Sequence, residues 1–261
     1  MRTNFNILNL ILISLGGLAL MFIVAPLLGM FLNTTPAEIF ETTQDKEVQQ
    51  SIWLTLSVSF ASTLVFAIAA IPLSYLLARK EFFAKKLVLG IIDLPIVIPH
   101  SAAGIAILGF ISRDSLIGQV ADRFGVSLVG NPIGIALAMA FVSIPYLITA
   151  ARDGFVAVPI RLEKAALNLG ASPARVFFSI SLPLASRNIV SGMILMFARG
   201  MSEFGAVVIV AYHPMITPVL IYERFGAFGL NYARPVSVVF IIVCLIFFAA
   251  LRMLSRERPR R

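Results

Sequence analysis

The sequence predicts an all-α polytopic membrane protein with six transmembrane helices and both termini in the cytoplasm. Hydrophobic residues make up 59% of the 261 residues and charged residues only 13%, well below the ~25% typical of soluble domains. Six apolar runs approach or exceed the ~20 residues of helix that cross a bilayer. Basic residues are concentrated in alternate loops. These three observations exclude a soluble globular domain.

The six apolar runs are separated by stretches that contain nearly all of the charged residues. They cover residues 10–32, 52–78, 87–111, 132–150, 189–211 and 236–254. The first run is longer than the ~7–15 residues of a signal-peptide core and has no A-x-A cleavage site, so we expect a membrane helix there. Pro95 and Pro99 remove two backbone donors from the third run, which predicts a helix that is kinked or begins late.

The loops between the runs alternate in charge. Of the 21 Lys and Arg residues, 15 lie at the two termini and in the second and fourth loops, five lie in the other three loops, and Arg199 lies inside a run. The positive-inside rule therefore places both termini and the fourth loop in the cytoplasm. The same distribution explains the net charge of +8 as a mark of one face of the plasma membrane, with no nucleic-acid partner.

The whole chain, residues 1–261, is predicted to form one transmembrane domain. It contains no Walker A sequence, so ATP and Mg²⁺ are not expected to bind this chain and its energy must come from an ion gradient or from another chain. The single cysteine, Cys244, excludes an intrachain disulfide and a multi-cysteine metal site. No metal site and no catalytic site are predicted.

The fourth loop contains the polar segment (residues 161–183), RLEKAALNLGASPARVFFSISLP. A first short helix with one apolar face is predicted by four apolar residues at helical spacing, Leu162, Ala165, Ala166 and Leu169. Gly170 can end that helix in the left-handed conformation. Ser172 and Pro173 are typical of the cap and first position of a second helix, which is predicted to stop at Leu182-Pro183. This helix-turn-helix is too short and too charged to span a bilayer, so we interpret it as an element that a cytoplasmic partner grips.

Ionisable groups inside predicted spans cost about 2.5–3.5 kcal/mol each on insertion, so each is a functional hypothesis. Arg199 and Glu203 lie four residues apart, next to Ser202, and can pair on one helix face. Two interpretations remain open. Arg199 faces a path for an anion, or the pair neutralises itself and locks helix packing.

Asp93 and His100 lie in the third run on either side of Pro99. His100 is expected to pack or to form hydrogen bonds rather than to bind a metal, and a proton relay with Asp93 would need further members. A Ser101–His100–Asp93 triad is disfavoured, because adjacent residues on a helix do not face each other. The protein is therefore not predicted to be an enzyme.

Residues 164–172, KAALNLGAS, resemble the EAA motif of permease subunits of binding-protein-dependent ABC importers, with Gly170 at the expected place and Leu182-Pro183 closing the motif. Lys164 stands where the motif has a glutamate, and Glu163 lies one residue earlier. The resemblance implies that the polar segment is a coupling helix seated in a cleft of an ATPase subunit. The residues it implicates in coupling are Glu163, Lys164, Ala165, Ala166, Gly170, Ala171, Ser172, Pro173, Phe177, Leu182 and Pro183.

Within that family the chain most resembles molybdate/tungstate permeases, with sulfate permeases as close relatives, in the runs 93–104, 198–206 and 212–224. The likeness covers residues 51–251. It implies a type I importer bundle, a permease homodimer, two ATPase subunits that hold ATP and Mg²⁺, and an extracytoplasmic oxyanion-binding protein. The candidate pathway or helix-packing residues are Asp93, Pro99, His100, Arg199, Ser202 and Glu203. The alternatives are a sulfate or thiosulfate permease and a self-powered secondary anion transporter, which the lack of a visible internal repeat disfavours.

Overall fold

The computed structural model describes residues 7–254, apart from the side chains of Arg252 and Leu254. This part of the chain is helical and has no strand. The helices are α1 (Ile7–Leu32), α2 (Pro36–Gln44), α3 (Lys46–Arg79), α4 (Lys85–Val97), α5 (His100–Ile111), α6 (Leu116–Arg123), α7 (Pro132–Ala157), α8 (Ile160–Asn168), α9 (Pro173–Val176), α10 (Leu182–Met201), α11 (Val207–Val210), α12 (Thr217–Phe228) and α13 (Leu230–Leu254). A π-helical turn, Phe177–Ser181, joins α9 to α10.

Five helices in the described part of the chain are long and apolar enough to cross a membrane: α1, α3, α7, the continuous helix Pro173–Met201 that contains α10, and α13. The pair α4 and α5 passes the same test only when its two helices are taken together, and it bends by 111° at its junction, so the described chain has five candidate spans, or six if this bent pair is one span. The prediction of an all-α membrane protein is therefore confirmed, with the third span broken into two helices.

The break in the third span has a local cause. Ile98 and Pro99 both have extended backbone conformations between α4 and α5. A proline disfavours the helical conformation of the residue before it, so the chain leaves the helix at Ile98 and restarts at His100. Pro95 is accommodated inside α4. The kink predicted for this run is confirmed, and it divides residues 87–111 between two helices.

The predicted fifth span, residues 189–211, is also wrong at its C-terminal end. Helix α10 stops at Met201 and a turn separates it from α11. The cause is Glu203, whose carboxylate accepts a hydrogen bond from the backbone N–H of Ala206 at 2.9 Å. This side chain satisfies a backbone donor that would otherwise need a helical carbonyl, so the chain turns within the bundle.

The core of the bundle lies between α3, α7 and α10. Small side chains allow close contact: a Cβ added to Gly192 on α10 would lie 2.9 Å from the Cβ of Ala150 on α7. Small residues at such contacts let helix backbones approach in a membrane, where packing drives association. Helix α1 lies outside this core, contacts α13 and has no buried residue. The central three helices therefore form the frame on which the broken spans and the polar segment are held.

Candidate functional site

The polar segment folds as the helix-turn-helix that its sequence predicts. Gly170 has φ +85°, in the left-handed region. Its N–H donates to Leu167 O and the N–H of Ala171 donates to Ala166 O, both at 3.0 Å, which is the hydrogen-bond pattern of a Schellman C-cap. The Ser172 hydroxyl then accepts a hydrogen bond from the N–H of Arg175 at 3.3 Å and caps α9. The turn between α8 and α9 is thus closed by backbone geometry that favours glycine.

The predicted stop at Leu182-Pro183 is wrong. The chain continues without a break from Pro173 to Met201, passing through the π-helical turn. In that turn the N–H of Leu182 donates to Phe177 O, five residues earlier. The wider turn moves carbonyl groups that a proline in an α-helix would meet, so Pro183 is tolerated in the first turn of α10. The polar segment is therefore rigidly continuous with a span.

Glu163 is the only buried residue of α8. Arg79, at the end of α3, donates from Nη2 to Glu163 Oε1 at 2.7 Å and from Nε to both carboxylate oxygens at 3.0 Å. Ser181, in the π-helical turn, donates from its hydroxyl to Oε1 at 2.7 Å. Charge-assisted hydrogen bonds of this kind are stronger than neutral ones. One carboxylate therefore ties α8 to two spans, α3 and α10.

An aromatic cluster backs this ion pair. The ring of Tyr75 packs edge-on against Phe155 and Phe177, with centroids 5.2 and 5.0 Å apart. Arg79 also lies 5.9 Å from the centre of the Tyr75 ring, and its Nη2 donates to Val158 O at 3.0 Å. Edge-to-face aromatic pairs are favourable beyond the area they bury. The inner side of the polar segment is therefore packed as well as charge-paired.

The other residues that the resemblance implicates lie away from this network or at its edge. Ala166, Ala171, Phe177 and Leu182 are half-buried, whereas the exposed ones are Lys164, Ala165, Gly170, Ser172, Pro173 and Pro183. The structure thus separates Glu163, which faces inward, from Lys164, which faces outward.

A second polar cluster forms between the start of α5 and the turn after α10. Glu203, 1% exposed, forms an ion pair with Arg199, whose Nη2 lies 2.9 Å from Oε2, and His100 Nδ1 lies 3.0 Å from the same oxygen. Arg199 Nη2 also lies 3.0 Å from both ring nitrogens of His100. Ser202 accepts from Arg199 Nη1 at 3.3 Å. Arg199 and Glu203 pair as their spacing suggests, but Glu203 lies beyond the end of α10 rather than on it.

Two glycines allow close contact between α5 and the turn after α10. A Cβ added to Gly205 would lie 2.7 Å from His100 Cβ, and one added to Gly104 on α5 would lie 2.9 Å from Ala206 O. Such distances leave no room for a side chain. The cluster of His100, Arg199 and Glu203 therefore closes a tight junction between α5 and the turn after α10.

Asp93 is not part of this cluster. It is exposed on α4, and within residues 7–254 its carboxylate makes no ion pair or hydrogen bond. It lines a cavity of about 520 Å³ together with Tyr146, Thr149 and Arg152. Pro99 is exposed at the N-cap of α5. The structure therefore does not join Asp93 to His100 in a relay. Among the described residues no group of three or more His, Cys, Asp or Glu side chains could hold a metal ion.

Sequence reasoning missed a third ionic site, at the start of α3. Arg224 on α12 donates to Asp45 at 2.7 Å and to Glu47 at 3.0 Å, beside a cleft of about 1050 Å³. Burial raises the pKa of Asp45, but hydrogen bonds from Arg224 and from the N–H groups of Glu47 and Val48, with the charge of Arg224, outweigh it and hold the pKa below its ordinary value. Sequence separation hid both this site and the Arg79–Glu163 pair.

The described bundle has close structural relatives. It superposes with a TM-score of 0.75 on a chain of a bacterial ABC transporter involved in the import of alginate, at 17% identity and covering 97% of this chain and 96% of the other. For the MetNI methionine ABC transporter the TM-score is 0.60 at 16% identity, over 80% of this chain and 92% of that one. The fold is that of a membrane subunit of an ABC transporter.

Sequence comparison narrows this class. The model of the inner membrane components of binding-protein-dependent transport systems matches residues 70–258. The chain is 43% identical over 240 residues to the molybdate/tungstate transport system permease protein WtpB of Methanocaldococcus jannaschii, covering 92% of this chain and 94% of the relative. It is 27% identical over 242 residues to the sulfate transport system permease protein CysT of Synechococcus elongatus, covering 90% and 87%. The chain belongs to the family of inner membrane components of binding-protein-dependent transport systems, and it is a multi-pass protein of the cell membrane.

Proposed function

We propose that this chain is the membrane-spanning permease of an ATP-driven importer of molybdate and tungstate. The choice of molybdate and tungstate as the transported anions is supported by sequence identity. The chain is 40–43% identical, over 92% of its length, to relatives named as molybdate/tungstate permeases. A sulfate or thiosulfate importer is the second candidate, because relatives named as sulfate permeases align over most of the chain at 27–30% identity. The higher identity favours molybdate and tungstate. A self-powered secondary transporter is disfavoured by the family to which the chain belongs.

The ATP-driven step is assigned to a separate subunit. The sequence has no Walker A motif, so ATP and Mg²⁺ would be held by an ATPase partner, two copies of which would serve two permeases. The polar segment would dock in that partner. Its continuity with α10 and its ion pair with α3 support this role, because a rigid element can transmit movement from one subunit to another.

The orientation and assembly are part of the same proposal. The 15 basic residues at the termini and in the second and fourth loops support placing both termini and α8 in the cytoplasm. A second copy would complete the path, since six spans make a poor closed pore and cyclic dimers are the commonest assemblies. An oxyanion-binding protein would dock on the opposite face and deliver the cargo.

Movement of α8 would be transmitted along α10 to α5 and to the turn after α10. The carboxylate of Glu163 is bound to both Arg79 and Ser181, so α8 cannot shift without moving the ends of α3 and α10. Ser181 and Arg199 are 18 residues apart along a continuous helix, roughly 27 Å at 1.5 Å per residue. We propose that α10 carries the movement of the ATPase subunits to the junction of His100, Arg199 and Glu203.

At that junction the charge of Arg199 is neutralised by Glu203, which supports a locking role over direct binding of the anion. A buried ion pair is held together by the cost of leaving either charge unpaired. Rigid-body movement of α10 could then change the packing of α5 against the turn after α10 without breaking the pair.

The test is uptake into proteoliposomes that contain this chain, its ATPase subunit and its binding protein. ATP-dependent accumulation of labelled molybdate or tungstate, unaffected by excess sulfate, is the expected result. Preferred accumulation of sulfate would show that the transported anion is sulfate and would leave the proposed ATP-driven mechanism unchanged. Uptake by this chain alone, driven by an ion gradient, would contradict the proposed function.

A further inference from the structure

Helix α8 turns its apolar residues outward and buries its acidic one. Leu162 and Leu169 are 42% and 89% exposed, and Ala165 between them is also exposed, whereas Glu163 is 7% exposed. These three apolar residues lie at positions that share one face of a helix. This face has no cover within the described chain, so it is a surface for another molecule.

The exposed charged residues of the polar segment are all positive. Arg161 and Lys164 lie on α8 and Arg175 on α9, each exposed. Within residues 7–254, no ion pair or side-chain hydrogen bond occupies these three groups. The one acidic residue between positions 159 and 181 is Glu163, and its carboxylate is taken up by Arg79 and Ser181. It is therefore not available to a cation on a partner.

We propose that the cleft which receives the polar segment has an apolar floor for Leu169 and a rim of carboxylates facing Arg161, Lys164 and Arg175. This inference rests on the proposed function, in which the partner is an ATPase subunit. Complementary charge at an interface steers association and fixes register. The exposed residue at this point of α8 is Lys164, and the side chain of the neighbouring Glu163 points into the permease. A partner surface that contacts Lys164 therefore has to be acidic.

A protein cleft fits this surface better than a lipid headgroup layer. The segment is braced from behind by the Arg79–Glu163–Ser181 network and by the ring of Phe177, and its tip is a closed Schellman turn. A rigid element matches a preformed pocket. A helix that lies on a bilayer surface is typically longer and needs no such internal bracing.

The experiment measures binding of the full-length chain to the ATPase subunit that co-purifies with it, in nanodiscs of phosphatidylcholine. Raising the salt from about 0.05 M to about 0.5 M should weaken binding, because salt screens exposed charges. Changing Arg161, Lys164 and Arg175 together to Glu should weaken it at least about tenfold. Changing the same three to Gln should weaken it less and flatten the salt dependence.

The matched control reverses three exposed basic residues outside the polar segment, Lys46, Arg113 and Arg123, and should bind the ATPase subunit as the unaltered chain does. Leu169→Asp tests docking itself. If Leu169→Asp releases the ATPase subunit while salt and charge reversal have no effect, the acidic rim is wrong and the docking role stands. If none of the changes weakens binding, both the acidic rim and the docking role of the polar segment are wrong. If charge matters only in nanodiscs with anionic lipid, the face binds lipid and the inference is overturned.

Discussion

Arg79, the last residue of α3, and Glu163, on α8, form an ion pair of 2.7 Å with side chains that are only 10% and 9% exposed. The two residues are 84 positions apart in the sequence. This pair joins the end of a span to the helix that we propose receives the movement of the ATPase subunits. It lies on the inner side of that helix, so it serves the connection within the permease rather than contact with a partner.

Removing either member of this pair should destabilise the protein strongly. Glu163→Gln leaves Arg79 without a counter-charge, and Arg79→Met leaves the carboxylate of Glu163 unpaired, each at a cost of about 3–5 kcal/mol. The double change should cost less than the sum of the two, because both charges are then gone. Thermal unfolding in detergent measures all three variants. Additive effects would show that the two side chains do not depend on each other.

Gly170→Val should uncouple ATP hydrolysis from transport. A Cβ at this position meets nothing within 4 Å, so the cost comes from the left-handed backbone, about 1–2 kcal/mol, and it falls on the turn that presents Leu169. The readout is the amount of anion transported for each ATP hydrolysed in proteoliposomes.

Gly125→Val is the matched control for Gly170. Gly125 has φ +72° and also has open space at its Cβ. It closes a similar turn after α6, where the N–H of Val126 donates to Ala121 O. It should lose similar stability and keep its coupling ratio. Normal transport by Gly170→Val, or equal uncoupling by the two variants, would count against the docking role of the polar segment.

The local parts of the structure could be predicted from the sequence. Gly170, Ser172 and Pro173 determine the turn of the polar segment through the backbone conformations of neighbouring residues, and Pro99 determines the break in the third span in the same way. Spacing alone also placed Arg199 within reach of Glu203. Each of these signals acts over a few residues, which is the range that a single sequence reveals.

The features that could not be predicted depend on contacts between residues distant in the sequence, or on backbone geometry that no sequence pattern indicates. Charged residues are usually exposed, so the burial of Glu163 could not be predicted without its partner on α3. The stop expected at Pro183 failed because a π-helical turn accommodates the proline. His100 joins Glu203 only because the start of α5 lies beside the turn that follows α10.

Arg199→Ala and Glu203→Ala should each impair assembly or transport, and the double change should be milder than their sum. The reason is that Glu203 is 1% exposed and an unpaired buried charge costs more than a missing pair. A coupling of about 0.5–3 kcal/mol is typical of residues in one ionic network. Ser202→Ala serves as the control, because it removes two uncharged contacts of the hydroxyl with Arg199, at 3.3 Å to Nη1 and 3.0 Å to the backbone oxygen, and leaves the ion pair in place. Strict additivity in unfolding measurements would contradict the pairing.

Gly104→Ala should destabilise the junction between α5 and the turn after α10. Its added Cβ would lie 2.9 Å from the backbone oxygen of Ala206, and a backbone oxygen cannot move aside as a flexible side chain can. The control is Gly109→Ala on the same helix, where nothing lies within 4 Å. A helix is more stable by roughly 0.5–1 kcal/mol with alanine than with glycine in its interior. Gly109→Ala should therefore be neutral or stabilising. Equal unfolding temperatures for the two variants would show that the contact at Gly104 is not tight.

The ion pair of Asp45 with Arg224 should weaken in acid. Since the pKa of Asp45 in the folded protein is held below its ordinary value, its contribution to stability is fully present above the unfolded value of about 3.9 and is lost as the pH falls through the lower, folded value. The difference in unfolding temperature between the unaltered chain and Asp45→Asn should therefore be constant from about pH 5 upward and shrink below about pH 4. In the Arg224→Gln background Asp45→Asn should make a smaller difference, because the main partner of the carboxylate is gone. A difference that persists unchanged into acid would mean that the charge of Asp45 does not hold α12 to the start of α3.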